Sequence, residues 1–258
     1  MSLIDLERQD GVAIVRLNRP EKLNSLTGEM IRSLSDLFRG FASDSTLRAV
    51  ILTGTGEKAF CVGTDISELA AGDQAEALKI SQRGQALCDL IEHCPVPVIA
   101  ALNGLAVGGG CELALACHIR LATAKVRFSL PEIRLGIMPG YGGTQRMPRE
   151  VGKSRALEIM LGGGEVSAAD AERLGLINRV VEPEDLLTEA PSLAQDIARL
   201  APLAIRACLE SVRVGLELPL AEGLAVESRL FAELFATADM REGTRAFLEK
   251  RAPRFKGE

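Results

Sequence analysis

The segment NGLAVGGGCELALA, residues 103–116, places the carboxyl group of Glu112 two positions after three consecutive glycines, at the start of an apolar run. Glycine has no Cβ, so a ligand can approach the backbone closely there. The N–H groups of a helix's first turn lack intrahelical partners and lie at the positive end of the helix dipole. Such groups can stabilise an oxygen atom that becomes negative during a reaction. The segment therefore predicts an anion-stabilising backbone beside a carboxylate.

A second carboxylate stands in FSLPEIRLGIMPGYGGTQRM, residues 128–147, where Pro131 fixes the approach to Glu132. PGYGG, 139–143, is another glycine-rich turn that exposes backbone. Two glutamates beside turns suit general acid and base work on a single water molecule. The alternative is that Glu112 only caps a helix or complements its dipole. Spacing alone leaves both interpretations open.

The glycine spacing argues against nucleotide binding. Glycines at 104, 108, 109 and 110 offer no GxGxxG register, and no lysine lies near the triplet as a phosphate-binding loop requires. An NAD-dependent oxidoreductase is therefore disfavoured.

The residues named above must be positioned by strands and helices, and the sequence has alternating patterns typical of both. Thr27 can cap a helix that runs to about residue 42, and FCVGTDI, 60–66, is predicted to be a loop. Apolar runs of strand type occur at 12–17, 49–54, 95–102 and near IRLAT, and further helices are predicted at 74–92 and from about 110. This rhythm predicts an α/β fold whose strands are buried on both faces.

Strand signals nearly vanish after about residue 142, apart from LINRVV at 176–181. Amphipathic helical patterns follow at 183–198, 201–214, 219–236 and 240–250. We therefore expect two parts, an α/β core with the active site at 1–198 and a helical region for oligomerisation at 199–258. The helical region carries apolar positions that need a partner, such as another subunit: Leu216, Leu220, Leu224, Leu230, Phe231 and Leu234.

Composition excludes several classes of function. The net charge of −5 and the 3% of aromatic residues, with no Trp, disfavour a nucleic-acid surface. Six cysteines lack CxxC spacing and only two histidines accompany them, so no metal site is expected. The charged start MSLIDLERQD is unlike a signal peptide, and no apolar run is long enough to span a membrane. These features predict a cytoplasmic setting with free thiols.

Several long motifs, in order and almost end to end, resemble the crotonase superfamily, the enoyl-coenzyme A hydratases and isomerases. They are LNRPEKLNSL (17–26), AFCVGTDI (59–66), NGLAVGGGCELALAC (103–117), FSLPEIRLGIMPGYGGTQRM (128–147), ADAERLGLINRVV (169–181) and EGTRAFLEKRAPRFK (242–256). The resemblance implies a spiral of ββα units with a C-terminal helical region that forms trimers, commonly paired into hexamers.

The resemblance also assigns roles at the reaction centre. The backbone N–H groups of Thr64 and Gly109 match the family's oxyanion hole, which holds the thioester oxygen as it becomes negative. Glu112 matches the residue that activates water, and Glu132 matches the residue that delivers a proton to C2. Gly140 matches a backbone N–H that positions the water or a glutamate. Alanine is frequent in the family where Val62 and Thr64 stand here, but the oxyanion role of Thr64 needs only its backbone.

Coenzyme A is expected to bind as part of the substrate, with no separate cofactor. The family's coenzyme-binding positions correspond here to Lys22, Leu23, Val62, Asp65, Ile66, Ser67, Phe231 and Lys250. The last two would reach the nucleotide from the helical region, often that of a neighbouring subunit. His118 stands where an acidic residue is common, and we give it no role.

The resemblance implies an enoyl-coenzyme A hydratase that adds water, in syn fashion, to the C2=C3 bond of a short or medium trans-2-enoyl thioester. Sibling reactions are the alternatives: dehydration of carnitinyl-coenzyme A, hydration of a branched enoyl thioester, or double-bond isomerisation. A different class of alternative is a non-catalytic or RNA-binding protein. The expected partners are the acyl-coenzyme A substrate and further copies of the chain, as a homotrimer or a dimer of trimers, without nucleic acid or membrane.

Overall fold

A computed structural model describes residues 2–70 and 72–258. The strands are β1 Ile4–Gln9, β2 Val12–Leu17, β3 Ala49–Gly54, β4 Ala59–Cys61, β5 Val98–Leu102, β6 Leu105–Val107, β7 Ile119–Thr123, β8 Arg127–Ser129, β9 Val166–Ser167 and β10 Arg179–Val181. The helices are α1 Gly28–Ala42, α2 Ile66–Ala70, α3 Gln74–Glu92, α4 Gly109–Ala116, α5 Gly143–Val151, α6 Lys153–Gly162, α7 Ala168–Leu174, α8 Leu186–Ala198, α9 Pro202–Gly215, α10 Leu220–Leu234 and α11 Ala238–Glu249. Short 3-10 turns lie at Pro20–Lys22 and Glu132–Leu135.

Two sheets share these strands. The larger has the order β1-β2-β3-β5-β7-β10 and the smaller the order β4-β6-β8-β9. Only the β1–β2 and β8–β9 pairs are antiparallel; every other pair in the described residues is parallel. Successive pairs β3β4, β5β6 and β7β8 each give one strand to each sheet before a helix follows. This arrangement is the spiral of ββα units that the family resemblance implies.

The bend between the two sheets is tight at Asn103 and Gly104. The Asn103 side-chain amide donates to the carbonyl oxygen atoms of Gly54 at 3.0 Å and Gly56 at 2.6 Å. A Cβ on Gly104 would lie 2.3 Å from the Lys58 carbonyl oxygen, which is far inside van der Waals contact. The Asn-Gly pair therefore lets the chain cross from β5 to β6 directly beside the preceding crossing.

The larger sheet is buried on both faces, which explains its continuous apolar strands. Alternate residues of β3, such as Val50 and Leu52, face the main core with α1, α3 and α4, whereas Ala49 and Ile51 face the other side. That second face is covered by α8 through Leu186, Ala190 and Ala194. The period-2 alternation of strand side chains distributes the apolar residues between the two cores.

The helices of the C-terminal region have few core contacts. No residue of α9 is buried, and Leu230 is the only buried residue of α10. Large apolar side chains remain exposed along this region: Leu216, Leu220, Leu224, Phe231, Phe235, Phe247 and Leu248.

The sequence interpretation differs from the structure where elements are short. The prediction of a loop at 60–66 is partly wrong, because β4 extends to Cys61 and α2 begins at Ile66. The strand predicted at 176–181 is confined to 179–181, since Leu176 and Ile177 are buried in the turn after α7. The periodicity also misses β1, β6, β8, β9 and α5 to α7. Three of the missed strands have only two or three residues, and β1 is solvent-exposed over Asp5–Gln9.

Candidate active site

The site forms at one edge of the smaller sheet. The strands β4, β6 and β8 are parallel neighbours, so their carboxyl ends lie side by side. The residues that follow these ends are Thr64, Gly109 and Glu132. Ligands bind characteristically outside the carboxyl ends of parallel strands in α/β proteins. The topology thus brings together residues that lie far apart in the sequence.

Glycines allow the first two of these segments to touch. Gly63 and Gly108 have positive φ angles of 86° and 55°, a region that favours glycine. A Cβ on Gly63 would lie 2.8 Å from the backbone nitrogen of Gly109, and one on Gly110 would lie 2.0 Å from the Cys61 carbonyl oxygen. A side chain at either of these contacts would force α4 away from β4.

Two backbone N–H groups at this contact have no protein acceptor in the described part of the chain. Leu26 donates to the Gly63 carbonyl at 2.7 Å and accepts from the Asp65 N–H at 2.9 Å, so the N–H of Thr64, between them, faces the opposite way. Gly109 is the first residue of α4, and its N–H has no intrahelical acceptor. Thr64 and Gly109 both line one cavity. They can therefore offer two N–H donors to a single oxygen atom.

Glu112 lies in the first turn of α4 and is 1% exposed. Its Oε1 accepts hydrogen bonds from the backbone N–H of Tyr141 at 2.8 Å and of Gly143 at 2.7 Å. Burial raises the pKa of Glu112 to about 7, and the negative charge of Glu132 adds to this rise, whereas the two N–H groups oppose it. The side chain is not a helix cap, because it reaches across to another loop. This carboxyl group can hold or release a proton near neutral pH.

Glu132 opens the 3-10 turn that follows β8. Its Oε2 is buried without a hydrogen-bond partner among the described residues, and burial raises the pKa of this carboxyl group. Its Oε1 lies 3.0 Å from the position that a Cβ would take on Gly108. The glutamate therefore lies directly against the glycine triplet, with one oxygen unsatisfied by protein.

One cavity of about 780 Å³ contains both carboxylates and both donor residues, together with Gly140 and Tyr141. Five sequence-predicted residues thus share a single site: Thr64, Gly109, Glu112, Glu132 and Gly140. Much of the remaining lining is apolar and comes from Val62 after β4, from the α2–α3 region and from the segment after Glu132. These residues are Val62, Ile66, Leu69, Ala77, Ile80, Leu135, Ile137 and Met138. An apolar wall beside a few convergent polar groups is typical of a small-molecule site.

Gly140 lies in the cavity, but other residues of its loop hold the glutamate. The amides that contact Glu112 are those of Tyr141 and Gly143, which the sequence interpretation did not single out. The signal was present in PGYGG, since such a turn exposes backbone. The Gly140 carbonyl oxygen accepts from Ser81 Oγ at 2.6 Å and from Gln85 Nε2 at 3.2 Å. Its N–H as a water-binding group stays a prediction.

The residues predicted to bind coenzyme A divide into two groups. Val62 and Ile66 line the cavity, whereas Lys22, Leu23, Asp65, Ser67, Phe231 and Lys250 do not. Lys22 and Leu23 lie at the end of the 3-10 turn Pro20–Lys22. Phe231, on α10, is 63% exposed, and Lys250 ends α11. Their roles stay predictions.

Asp65 holds the loop that carries Thr64. Its Oδ2 accepts from Arg19 at 2.6 Å, and its Oδ1 accepts from the Ser67 hydroxyl at 2.6 Å. These bonds lower the pKa of Asp65, the one from Ser67 most strongly. Asp65 and Ser67 therefore fix the conformation of the loop.

His118 has a structural environment. The Val98 N–H donates to its Nδ1 at 2.9 Å, and its Nε2 lies 3.2 Å from the Glu92 carbonyl oxygen. Both ring nitrogens thus bind backbone away from the cavity.

Comparison with known proteins identifies the family. The model of the enoyl-CoA hydratase/isomerase family matches residues 7–258. The chain belongs to the enoyl-CoA hydratase/isomerase family. It is an enzyme, and its family acts on acyl-coenzyme A substrates.

Individual relatives and solved structures of enoyl-CoA hydratases are similar to this chain over nearly its whole length. The short-chain-enoyl-CoA hydratase of Clostridium acetobutylicum is 41% identical, over 95% of this chain and 94% of the relative. The crotonyl-CoA hydratase of Syntrophomonas wolfei is 38% identical, over 98% of this chain and 97% of the relative. The crystal structure of enoyl-CoA hydratase from Bacillus anthracis superposes with a TM-score of 0.97 at 38% identity, covering 100% of both chains.

Residues 2–70 and 72–258 contain no cluster of three or more His, Cys, Asp or Glu side chains arranged to hold a metal ion. Among the helices described, none has the length and apolar character that crossing a membrane requires.

The raised pKa of Glu112 predicts how stability depends on pH. The Glu112 carboxyl group has its usual pKa of 4.5 in the unfolded chain and a pKa of about 7 in the folded chain. At pH values between these two, the folded chain binds the Glu112 proton more tightly than the unfolded chain does. The free energy of unfolding should therefore fall as pH rises through this window, by on the order of 3 kcal/mol relative to Glu112→Gln. The glutamine keeps an Oε1 acceptor for both N–H groups but does not titrate.

The measurement is urea unfolding of the native protein and of Glu112→Gln at pH values below, within and above this window. Glu158→Gln, at an exposed position on α6, is the control and should follow the native curve. Parallel curves for the native protein and Glu112→Gln would show that Glu112 is not a buried titrating group.

Proposed function

We propose that this enzyme adds water, in syn fashion, to the C2=C3 bond of a short- or medium-chain trans-2-enoyl-coenzyme A thioester. The observation that carries the proposal is that buried Glu112 and half-buried Glu132, both with raised pKa values, line the same cavity as Thr64 and Gly109. A single carboxylate would suffice to move a proton in double-bond isomerisation. The presence of two favours hydration, because water addition requires one group to take a proton and another to give one.

The oxyanion hole begins the proposed reaction. The thioester oxygen accepts from the N–H groups of Thr64 and Gly109, which polarises the conjugated double bond and makes C3 electrophilic. These donors need no reorganisation during the reaction, because β4, α4 and Leu26 fix their positions. Losing one such donor costs about 3 kcal/mol of transition-state stabilisation.

Glu112 is the proposed base. Its anion keeps two backbone N–H partners, and a pKa of about 7 leaves a large ionised fraction at neutral pH. It takes a proton from water as the water oxygen bonds to C3. The electron pair of the C2=C3 bond moves toward the thioester, and its charge is held on the oxygen.

Glu132 is the proposed acid. Its Oε2 has no protein partner in the described residues, and its raised pKa favours the protonated form. It gives its proton to C2 as the electron pair returns from the thioester oxygen. Glu112 then carries one proton more and Glu132 one fewer, and transfer between the two through the next water restores the enzyme. The Gly140 N–H is proposed to hold that water.

Substrate length follows from the relatives. Their names specify short-chain and crotonyl thioesters, and we extend this preference to the present enzyme. The apolar lining between α2 and Met138 would accept the acyl chain. Lys22, Leu23, Val62, Asp65, Ile66 and Ser67, with Phe231 and Lys250 of a neighbouring subunit, are proposed to surround coenzyme A. The reaction needs no cofactor beyond this substrate.

We also propose a homotrimer, or a dimer of trimers, assembled through the C-terminal helices. The support is the exposed apolar surface of α9 to α11, where Phe247 and Leu248 are more than four-fifths exposed. The molar mass from light scattering should equal three or six chains, and a monomer would contradict the proposal. A reducing compartment, the cytoplasm, would suit the six free thiols.

Turnover of crotonyl-coenzyme A tests the function. The native protein should remove the conjugated enoyl absorbance rapidly, and Glu112→Gln and Glu132→Gln should each lower kcat at least about 100-fold. Each glutamine preserves shape while removing the group that takes or gives the proton. Glu158→Gln, outside the cavity, should retain native turnover.

Two results would contradict this account. Unchanged turnover in either glutamine variant would exclude the two-carboxylate mechanism. Binding of crotonyl-coenzyme A without turnover would instead favour a sibling reaction on a branched or carnitinyl thioester.

A further inference from the structure

Tyr141 is the only tyrosine of the chain and is 3% exposed. Its ring fills the space between α3 and the first residue of α4. A Cβ on Gly84 would lie 2.0 Å from the ring, and one on Gly109 would lie 3.1 Å from it. Both neighbours therefore leave room for this side chain, and the ring touches the residue whose N–H forms half of the proposed oxyanion hole.

The Tyr141 hydroxyl group binds the residue that supplies the other half. Thr64 Oγ1 donates to the Tyr141 hydroxyl oxygen at 2.7 Å. An alanine at position 64 could not make this bond. While the Tyr141 hydroxyl group binds Thr64, the backbone N–H of Tyr141 donates to Glu112 Oε1 at 2.8 Å. Tyr141 therefore connects the Thr64 loop with the carboxylate of the proposed base.

The two segments that Tyr141 connects are otherwise held separately. The Thr64 loop is fixed by Leu26 and by the ion pair between Arg19 and Asp65. The loop at 139–143 is fixed by Ser81, which donates to the Gly140 carbonyl. The Thr64–Tyr141 hydrogen bond directly links one loop to the other, so it constrains the distance from the oxyanion hole to the base.

We propose that Tyr141 is a positioning residue which, through its hydroxyl bond to Thr64, aligns the oxyanion hole with Glu112. The proposal rests on the function proposed above. Oxyanion donors act only within a narrow distance of the developing charge, and a misplacement of about 1 Å can cost about 100-fold in rate. Neither hydroxyl group needs to touch the substrate, because Thr64 acts on it through the backbone.

Three variants test the alignment: Tyr141→Phe, Thr64→Val and the double variant. Each single change removes one hydroxyl group while it preserves the ring or the branched shape. We expect each to lower kcat about 10-fold and to change KM less than about 2-fold. The double variant should be no slower than either single one, because both remove the same hydrogen bond. Thr123→Val is the control, since Thr123 Oγ1 is buried without a partner in the described chain.

A spectroscopic readout separates alignment from general structural damage. A dienoyl-coenzyme A thioester absorbs at longer wavelength when its carbonyl oxygen is polarised, so the shift on binding reports the oxyanion hole directly. Tyr141→Phe and Thr64→Val should reduce this shift at saturating ligand. The pH midpoint of the rise in kcat/KM should stay unchanged in Tyr141→Phe, because this variant retains the backbone N–H that binds Glu112.

Several results would overturn the proposal. They are native kcat in Tyr141→Phe, additive losses in the double variant, or an undiminished shift of the bound dienoyl thioester. A rise in KM for Thr64→Val alone would show that the Thr64 hydroxyl contacts substrate instead. If the native protein turns over no enoyl thioester, the proposed function fails separately, and the dienoyl shift still decides whether Tyr141 positions the hole. A native protein that binds no thioester would overturn both.

Discussion

The burial of the Glu112 carboxyl group, with two backbone N–H groups as its partners, is the constraint on which the site depends. An ionised carboxylate away from water is costly unless hydrogen bonds compensate it. The amides of Tyr141 and Gly143 supply that compensation in part, and the remaining cost appears as a pKa near 7. The loop at 139–143 must therefore stay against α4 for the folded chain to tolerate this group.

The same constraint explains the glycines. For α4 to present Glu112 to this loop and its N-terminus to the cavity, the helix must lie against β4. Gly63 and Gly110 permit this approach, since a Cβ on either would meet backbone atoms at 2.8 Å or less. Glycine loses more conformational entropy on folding than other residues. At these positions it allows two N–H donors and a carboxylate to lie on one cavity.

Sequence predicts those parts of the protein that have a strong local signal. The helix at 74–92 and the buried strand at 49–54 could be predicted because each has a sustained pattern and clear boundaries. The strands β6 and β8 could not, since three residues carry too little periodicity. These short strands nevertheless direct the glycine triplet and Glu132 to the same edge.

Some features of the candidate site could be predicted from the sequence, and others depend on contacts between distant segments. The glycine triplet and both glutamates stand out in the sequence because their residue types and turns are unusual. The hydrogen bonds of Tyr141 and Gly143 to Glu112 depend on two loops that meet only in the folded chain. The pairing of Thr64 with Tyr141 spans 77 positions, and no local pattern reports it.

Glu112 is proposed to act as a base whose pKa is raised by burial. The pH dependence of kcat/KM tests this role most directly. With crotonyl-coenzyme A as substrate, kcat/KM should rise with pH as Glu112 ionises around its pKa of about 7, and it should fall at higher pH as Glu132 loses the proton that it gives to C2. The residual activity of Glu112→Gln should lack this rise. A profile that is flat through this range, or the same rise in the glutamine variant, would contradict the account.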